Sequence, residues 1–111
     1  MEDCPFCKIV AREIPATVVL EDAGWLAFED LDPKAPVHVL VVPKRHLADI
    51  GELGTDPAAA AALVAGIGAV ARQLELPAYR TVFNTGAGAG QSVFHVHAHV
   101  LAGRNLTWPP G

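Results

Sequence analysis

The order of apolar and polar positions along the chain predicts an α+β fold with one short and one long helix. Apolar residues at positions 5–14 recur near helical spacing until Pro15 ends the pattern, which predicts an N-terminal helix. A long helix is expected to begin at a cap, either Thr55 or Asp56, and to run through an alanine-rich apolar stretch to Leu74.

Two glycines, Gly66 and Gly68, lie inside the predicted long helix. Glycine lowers helix propensity, but the absence of a side chain also allows a helix to pack closely against a sheet. We therefore predict one continuous helix across both positions.

Five segments have the β-branched and aromatic residues of strands. The first two flank a turn at positions 21–24 and are expected to form a hairpin. The third is continuously apolar, so it should be buried on both faces at the centre of the sheet. We predict a mostly antiparallel five-stranded sheet with the helices on one face. The segments are Thr17–Leu20, Trp25–Glu29, Val37–Val42, Tyr79–Asn84 and Ser92–Leu101.

Length and composition are typical of a chain with one core. The 111 residues, Met1–Gly111, are expected to form a single domain. Apolar residues make up 51% of the chain, but no uninterrupted apolar stretch is long enough to span a bilayer, so no membrane partner is expected. The acidic N-terminus lacks the basic start of a secretory signal, which favours a cytoplasmic location.

The charge balance limits the partners that the protein can bind. A formal net charge of −4 provides no basic surface for a nucleic-acid backbone. A small anionic ligand must therefore be held by local groups. The glycine-rich loop Thr85–Gly90 is one candidate, because glycines let backbone N–H groups approach phosphate oxygens, and Ser92 adds a hydroxyl. Such loops are also common as plain turns.

Alternating histidines near the C-terminus are the strongest chemical feature of the sequence. In a strand, His95, His97 and His99 share one face at about 7 Å spacing, and the intervening apolar residues point into the core. One histidine is more often a plain surface or core residue, but three at this spacing favour a functional site. The outer two would lie too far apart to join the middle one on a single metal ion. A neutral imidazole is a nucleophile toward phosphorus, so His97 is the candidate for covalent catalysis.

The segment Gly90–Leu101 resembles the signature of the histidine triad (HIT) family, in which three histidines alternate with apolar residues. The segments Phe28–His38 and Pro43–His46 are also similar to that family. The tail, Ala102–Gly111, resembles that of the Hint branch, the purine nucleoside phosphoramidases, more than that of the diadenosine polyphosphate hydrolases. The resemblance implies a HIT-like fold over nearly the whole chain.

The same resemblance implies a hydrolase that cleaves purine nucleoside 5′-phosphoramidates, such as AMP-amine or AMP-lysine conjugates. His97 would attack the α-phosphorus, form a nucleotidyl-histidine intermediate and be regenerated by water. His99 would contact phosphate oxygens, Ser92 would assist the leaving group, and His38 would support the nucleophile. Further phosphate-side contacts implied by the family are Asn84, Gly90, Gln91 and Val93.

The nucleoside end of the substrate is also assigned by resemblance. Asp30 matches the acid that binds the ribose hydroxyls, with Leu31 beside it, although a carboxylate here is also typical of a turn. Phe6, Ile9 and Ile14 match the apolar base pocket, although their helical spacing equally fits plain core residues.

The cysteines, Cys4 and Cys7, form a CxxC pair at the start of the predicted first helix. This arrangement resembles a glutaredoxin-type redox motif. Such a motif follows a strand of the core sheet, however, and only three residues precede Cys4. A redox function is therefore disfavoured.

A structural zinc ion suits the pair better, because zinc prefers four nitrogen or sulfur ligands. The chain offers Cys4, Cys7, His46 and His95, and bacterial-type members of the family carry such a site. The ion would have no open position and would not be needed for the chemistry. The alternative is two free thiols, with His95 only orienting its neighbour.

The sequence leaves three other functions open. The same nucleophile would serve a dinucleoside polyphosphate hydrolase or a nucleotidyl transferase, because the leaving-group contacts lie in loops. A nucleotide-binding protein with vestigial turnover would use the same pocket. The resemblance also implies a homodimer in which Trp108, on a stiff proline-rich tail, reaches the partner's site, although a surface-packed terminus explains that residue equally well.

Overall fold

The computed structural model describes residues 3–111. Met1 and Glu2, which belong to the acidic N-terminus, lie outside the described residues. Among residues 3–111, no helix combines the length and the apolar character needed to cross a membrane. The helices are α1 (Pro5–Val10), α2 (Ile50–Leu53) and α3 (Pro57–Gln73), and the strands are β1 (Val18–Glu21), β2 (Trp25–Glu29), β3 (Val37–Pro43), β4 (Arg80–Val82) and β5 (Ala98–Ala102).

The strands form one five-stranded sheet in the order β1-β2-β3-β5-β4, and every neighbouring pair is antiparallel. The predicted α+β fold with an antiparallel sheet is therefore confirmed, and β3 is central as expected. The register of β3 against β5 places His38 opposite Leu101 and Leu40 opposite His99. Two histidines from different strands thereby lie on the same face of the sheet.

One face of the sheet packs against α3. This helix begins at Asp56, whose carboxylate accepts a hydrogen bond from the Ala59 amide at 3.1 Å. A Cβ added to Gly66 would lie 2.7 Å from the buried ring of Trp25, so the helix approaches β2 closely at that point. The close packing expected of a helix glycine is confirmed at this position. The core on this side includes Ala27, Val39, Val41, Leu63, Val70, Ala98 and Val100.

The opposite face of the sheet packs against α1, which corrects the prediction that the helices share one face. Successive residues of β2 point to opposite faces, and Leu26 and Phe28 are as deeply buried as their neighbours. Both faces of the sheet are therefore apolar and both need cover. Phe6 of α1 supplies it together with Cys4, and its ring meets Phe28 edge to face.

Three local predictions were wrong. The last strand begins at Ala98 instead of Ser92, because earlier backbone groups bond elsewhere: the Val96 amide donates to the Leu47 carbonyl at 2.7 Å. The first helix ends at Val10, four residues before Ile14. The four-residue helix α2 was not expected at all, since its sequence has no apolar repeat long enough to indicate it.

Candidate active site and metal centre

His97 lies in the extended segment before β5, and its ring is held by the backbone of a neighbour. The Nδ1 atom is 2.9 Å from the His95 carbonyl oxygen, and since a carbonyl only accepts, Nδ1 carries the proton. The lone pair is therefore on Nε2. Burial lowers the pKa of His97, opposed by the His95 carbonyl and the charge of Asp30, which favours the neutral ring.

His97 is buried, because only 7% of the residue is exposed and its ring packs edge-on against Phe6. No buried side-chain nitrogen or oxygen among the described residues lacks a hydrogen-bond partner. Because Nε2 makes no hydrogen bond within that part of the chain, it must open onto the adjoining cavity. That cavity has a volume of about 370 Å³ and is lined by Phe6, Ile9, Ile14, Phe28, Asp30, Leu31, Leu40, Ser92, Val93, His97 and His99, among others.

His99 and His38 form a linked pair beside this cavity. The His38 Nε2 and His99 Nδ1 atoms are 2.9 Å apart, and the Lys34 amide donates to His38 Nδ1 at 3.0 Å. His38 Nε2 also lies 3.4 Å from a carboxylate oxygen of Asp30. Burial, together with the neighbouring His97 and His38, lowers the pKa of His99 to about 4, so its ring is neutral at neutral pH.

The ligand atoms of Asp30, His38 and His99 lie within 4.8 Å of one another, a spacing that a metal ion would tolerate. The hydrogen bond from the Lys34 amide to His38 Nδ1 argues against a metal ion here. A metal on His38 Nε2 would require the proton on Nδ1, where it would face the N–H of Lys34. This cluster is better described as a hydrogen-bonded group than as a metal site.

The glycine-rich loop uses most of its own amides internally, which corrects two assigned phosphate contacts. The amides of Gly90 and Gln91 donate to carbonyls of the same loop at 3.0 and 3.1 Å. The Gln91 side chain is buried and bonds three backbone groups, so it holds the loop in shape. Among the described residues, the amides of Ser92 and Val93 make no such bond, and both residues line the cavity. These two amides are the available donors for a phosphate.

Other residues assigned to the substrate are spread around the site. Asn84 donates to the Ala89 carbonyl at 2.9 Å and lines a second cavity next to His99. Leu31 is 96% exposed at the mouth of the main cavity. Trp108 is 82% exposed and does not border the main cavity. Arg80 anchors the tail that carries it, with donations to the carbonyls of Leu106 and Thr107 at 2.8 and 3.0 Å.

Four side chains form a cluster next to His97: Cys4, Cys7, His46 and His95, whose ligand atoms all lie within 4.8 Å of one another. His95 is fully buried and points to this cluster, not to the cavity, so the prediction that the three alternating histidines share a surface holds only for His97 and His99. The His95 Nε2–H donates to the Pro43 carbonyl at 2.8 Å, which leaves Nδ1 as the free ligand atom.

The spacing of this cluster fits a tetrahedral ion. Bonds of about 2.1 Å to nitrogen and about 2.3 Å to sulfur place two nitrogens about 3.4 Å apart, and a nitrogen and a sulfur about 3.6 Å apart. The Nδ1 atoms of His46 and His95 are 3.2 Å apart, and each cysteine sulfur lies 3.4 or 3.5 Å from His95 Nδ1. Burial and the adjacent Cys4 raise the pKa of Cys7 to about 11, so an incoming metal must displace a proton from that thiol.

Sequence reasoning missed three contributors to the site. Phe28 and Leu40 line the cavity, and strand alternation is the signal for them, because it puts each on the face of the sheet opposite to its neighbours Ala27 and Val39. The Lys34 amide gave no signal, since every residue except proline carries one.

The alternating histidines, the antiparallel sheet and the buried His97 beside a cavity define the class of histidine triad proteins. The sequence model of the HIT domain matches residues 11–106. An uncharacterized HIT-like protein of Synechococcus elongatus is 49% identical over 112 residues, which cover 99% of this chain and 98% of that protein. A 14 kDa zinc-binding protein of Zea mays is 42% identical over 126 residues, covering 100% of this chain and 91% of that one.

A solved structure agrees with the sequence matches. The crystal structure of a HIT family hydrolase from Legionella pneumophila superposes with a TM-score of 0.91 at 46% identity, covering 98% of this chain and 100% of that one. The chain therefore belongs to the HIT family and has the fold of HIT family hydrolases. A histidine triad nucleotide-binding protein from Candida albicans also superposes, with a TM-score of 0.83 at 30% identity, covering 96% of this chain and 83% of that one.

Proposed function

We propose that the protein hydrolyses purine nucleoside 5′-phosphoramidates to the nucleoside monophosphate through a nucleotidyl intermediate on His97. The observation that carries this proposal is the His97 ring, whose Nδ1–H is held by a backbone carbonyl while Nε2 opens onto a mainly apolar cavity. The ring is thereby oriented as a neutral nucleophile before any substrate arrives.

The cavity suits a nucleoside bound by neutral groups. The rings of Phe6 and Phe28 offer apolar surface to a base, and the second carboxylate oxygen of Asp30 can accept hydrogen bonds from ribose hydroxyls. No lysine or arginine of the described chain borders this cavity. The phosphate would be held by the amides of Ser92 and Val93 and by His99. A site without cations favours release of the doubly charged monophosphate product.

In the first chemical step, the His97 Nε2 lone pair attacks the α-phosphorus and the bond from phosphorus to the amine nitrogen breaks. The departing nitrogen takes a proton from the Ser92 hydroxyl, whose side chain is exposed on the cavity wall. Positive charge that develops on the imidazole is stabilised through Nδ1–H and the His95 carbonyl. Donors aimed at the phosphoryl oxygens stabilise the transition state.

In the second step, water attacks the phosphorus and the bond to His97 Nε2 breaks. One proton of the water returns to the Ser92 oxygen and the other leaves with the product, so the enzyme regains its starting state. Hydrolysis requires that water enter after the amine departs, and the exposure of Ser92 and the partial exposure of His99 provide that access.

We further propose that Cys4, Cys7, His46 and His95 hold a structural zinc ion. The spacing of their ligand atoms, all within 4.8 Å of one another, supports this, as does the similarity to a zinc-binding protein of maize. When bound, the ion would cross-link α1 to the segments after β3 and before β5, and so brace the Phe6 wall of the cavity against His97. Metal analysis of the purified protein should find one zinc per chain, and Cys4→Ser with Cys7→Ser should abolish it.

We also propose a homodimer, as the resemblance of the tail to that of the Hint branch implies. In the described chain, strand β4 pairs only with β5, so its outer edge is free to meet a second copy. The exposed Trp108 would then be available to the partner's site. A monomeric mass in solution at micromolar protein would contradict this assembly.

The nucleophile is tested with His97→Asn, because an asparagine amide can keep the hydrogen bond to the His95 carbonyl while it removes Nε2. We expect release of AMP from adenosine 5′-phosphoramidate to fall by at least about 1,000-fold with the fold retained. Acid-quenched wild-type reactions should contain nucleotide covalently attached to protein, and the variant should contain none. AMP release that survives in the variant would rule out the mechanism, and a panel including dinucleoside polyphosphates would identify the preferred leaving group.

A further inference from the structure

The ring of His38 receives a hydrogen bond from the backbone of a loop. The Lys34 amide lies 3.0 Å from His38 Nδ1, in the turn that leads into β3. An amide nitrogen can only donate its proton, so His38 Nδ1 must present a lone pair. A neutral imidazole carries one proton, and in His38 that proton is consequently on Nε2.

The position of the proton on His38 determines the position of the proton on His99. His38 Nε2 lies 2.9 Å from His99 Nδ1, so His38 donates and His99 Nδ1 accepts. The remaining proton of His99 must then be on its Nε2. The nearby carboxylate of Asp30, 3.4 Å from His38 Nε2, favours the same arrangement because it also attracts a proton on that atom.

The Nε2 side of the His99 ring faces the main cavity, where the substrate would bind. Its Nε2 makes no hydrogen bond with any described residue, and no buried nitrogen or oxygen in residues 3–111 is left without a partner, so the atom is accessible. The ring centres of His97 and His99 are 5.0 Å apart, and both residues line the main cavity. A proton on His99 Nε2 is thereby available to a phosphoryl oxygen bound at His97.

We infer that the Lys34 amide is a positioning group that sets the proton positions of His38 and His99, and so makes His99 a neutral hydrogen-bond donor. The consequence for catalysis rests on the proposed function. Without this amide, His38 could carry its proton on Nδ1 and accept from His99, and His99 would then present a lone pair to the phosphate. The Lys34 amide therefore favours the arrangement in which His99 donates a hydrogen bond to the phosphate over the one in which His99 presents a lone pair to it.

The first experiment locates the protons in the unmodified protein without substrate. Protonated and unprotonated imidazole nitrogens have well separated ¹⁵N resonances, so a spectrum of ¹⁵N-histidine protein at neutral pH reports each ring. We expect protons on Nε2 of both His38 and His99. A proton on Nδ1 of either ring overturns the inference, whether or not the protein hydrolyses phosphoramidates.

The second experiment removes only the N–H. Nε-Boc-lysine is incorporated in place of Lys34, once as the amino acid and once as its α-hydroxy acid, which replaces the amide by an ester of nearly the same shape. We expect the ester to move the His38 and His99 protons to Nδ1 and to lower kcat/KM for adenosine 5′-phosphoramidate by about 100-fold, as for loss of one transition-state donor. Unchanged proton positions in the ester protein would overturn the inference.

The controls separate this effect from others. The Boc-lysine amide protein and Lys34→Ala both keep the N–H and should retain wild-type spectra and turnover. If the spectra behave as expected but wild-type protein hydrolyses no phosphoramidate, the proposed function fails and the proton assignment stands. If turnover is present and the ester leaves it unchanged, the catalytic part of the inference is wrong.

Discussion

The two carboxylate oxygens of Asp30 have different tasks. Its Oδ1 accepts a hydrogen bond from the Asp32 amide at 2.8 Å, which shapes the turn after β2. Its Oδ2 lies near His38 and is the oxygen left for a ligand in the cavity. The sequence allowed Asp30 to be either a turn residue or a ribose ligand, and the geometry is compatible with both at once.

Asp30→Asn should therefore keep the turn and lose the ribose contact. The amide retains an acceptor for the Asp32 N–H but replaces the second oxygen by a donor, so we expect KM to rise about tenfold, the effect of losing one hydrogen bond to a charged group. A 2′-deoxy substrate should show a smaller difference between variant and wild type. Asp32→Asn, at a side chain that is 86% exposed, is the matched control, and an equal effect there would contradict the assignment.

For individual residues, the sequence predicted which types of side chain form the site, but it could not predict which of their atoms carry protons. Alternation suggested His97 as the nucleophile, and the supply of two cysteines and two spare histidines, together with the family resemblance, suggested four metal ligands, whose ligand atoms the structure brings within 4.8 Å of one another. The pattern could not show that the Gly90 and Gln91 amides are already bonded within their loop, since backbone hydrogen bonding depends on how the loop closes.

Helix α3 meets β2 at a contact that only a glycine permits. Gly66 lies against the buried ring of Trp25, whereas a Cβ at Gly68 would meet only the flexible end of Arg72 at 3.2 Å. Two glycines of the same helix, two residues apart, are therefore expected to respond in opposite directions.

Gly66→Ala should destabilise the protein by up to about 2 kcal/mol, because crowding of a packed core costs about 1–3 kcal/mol and the gain in helix propensity offsets about 1 kcal/mol of it. Gly68→Ala should stabilise it by about 0.5–1 kcal/mol. Denaturant unfolding of both variants measures the difference. Equal shifts at the two positions would show that the contact with Trp25 is unimportant.

The elements also show why apolar pattern predicts strands better than their ends. The four β-branched or aromatic segments before Ser92 were placed within a few residues, because each has partners that match its length. The last segment has an equally good strand pattern over residues 92–97. There the Val96 amide bonds to the loop after β3, and the His95 ring bonds to the Pro43 carbonyl. These are contacts between distant parts of the chain, so the local pattern does not indicate them.

Folding buries histidine rings in their neutral form, whereas the unfolded chain exposes the same rings to water. The pKa of His99 is about 4 in the folded protein, against 6.5 for an unperturbed histidine. Between these values the unfolded chain binds a proton that the folded chain does not. The free energy of unfolding should therefore fall as pH decreases from about 6.5 to about 4 and should be insensitive to this group above that window.

Denaturant unfolding of wild type and His99→Gln at several pH values isolates this contribution. The variant should show a shallower loss of stability over the same window, because one of the buried rings that must become charged is absent. Parallel curves for the two proteins would mean that His99 titrates as it does in the unfolded chain.

One residue, His95, belongs to both sites, and it serves them with different atoms. Its ring faces the four side chains proposed to hold zinc, while its main-chain oxygen accepts the Nδ1–H of His97. Every amino acid has that oxygen, so the ring of His95, the two cysteines and His46 could be exchanged without losing the group that orients the His97 ring. An insertion between positions 95 and 97, by contrast, would separate that carbonyl from the ring it holds.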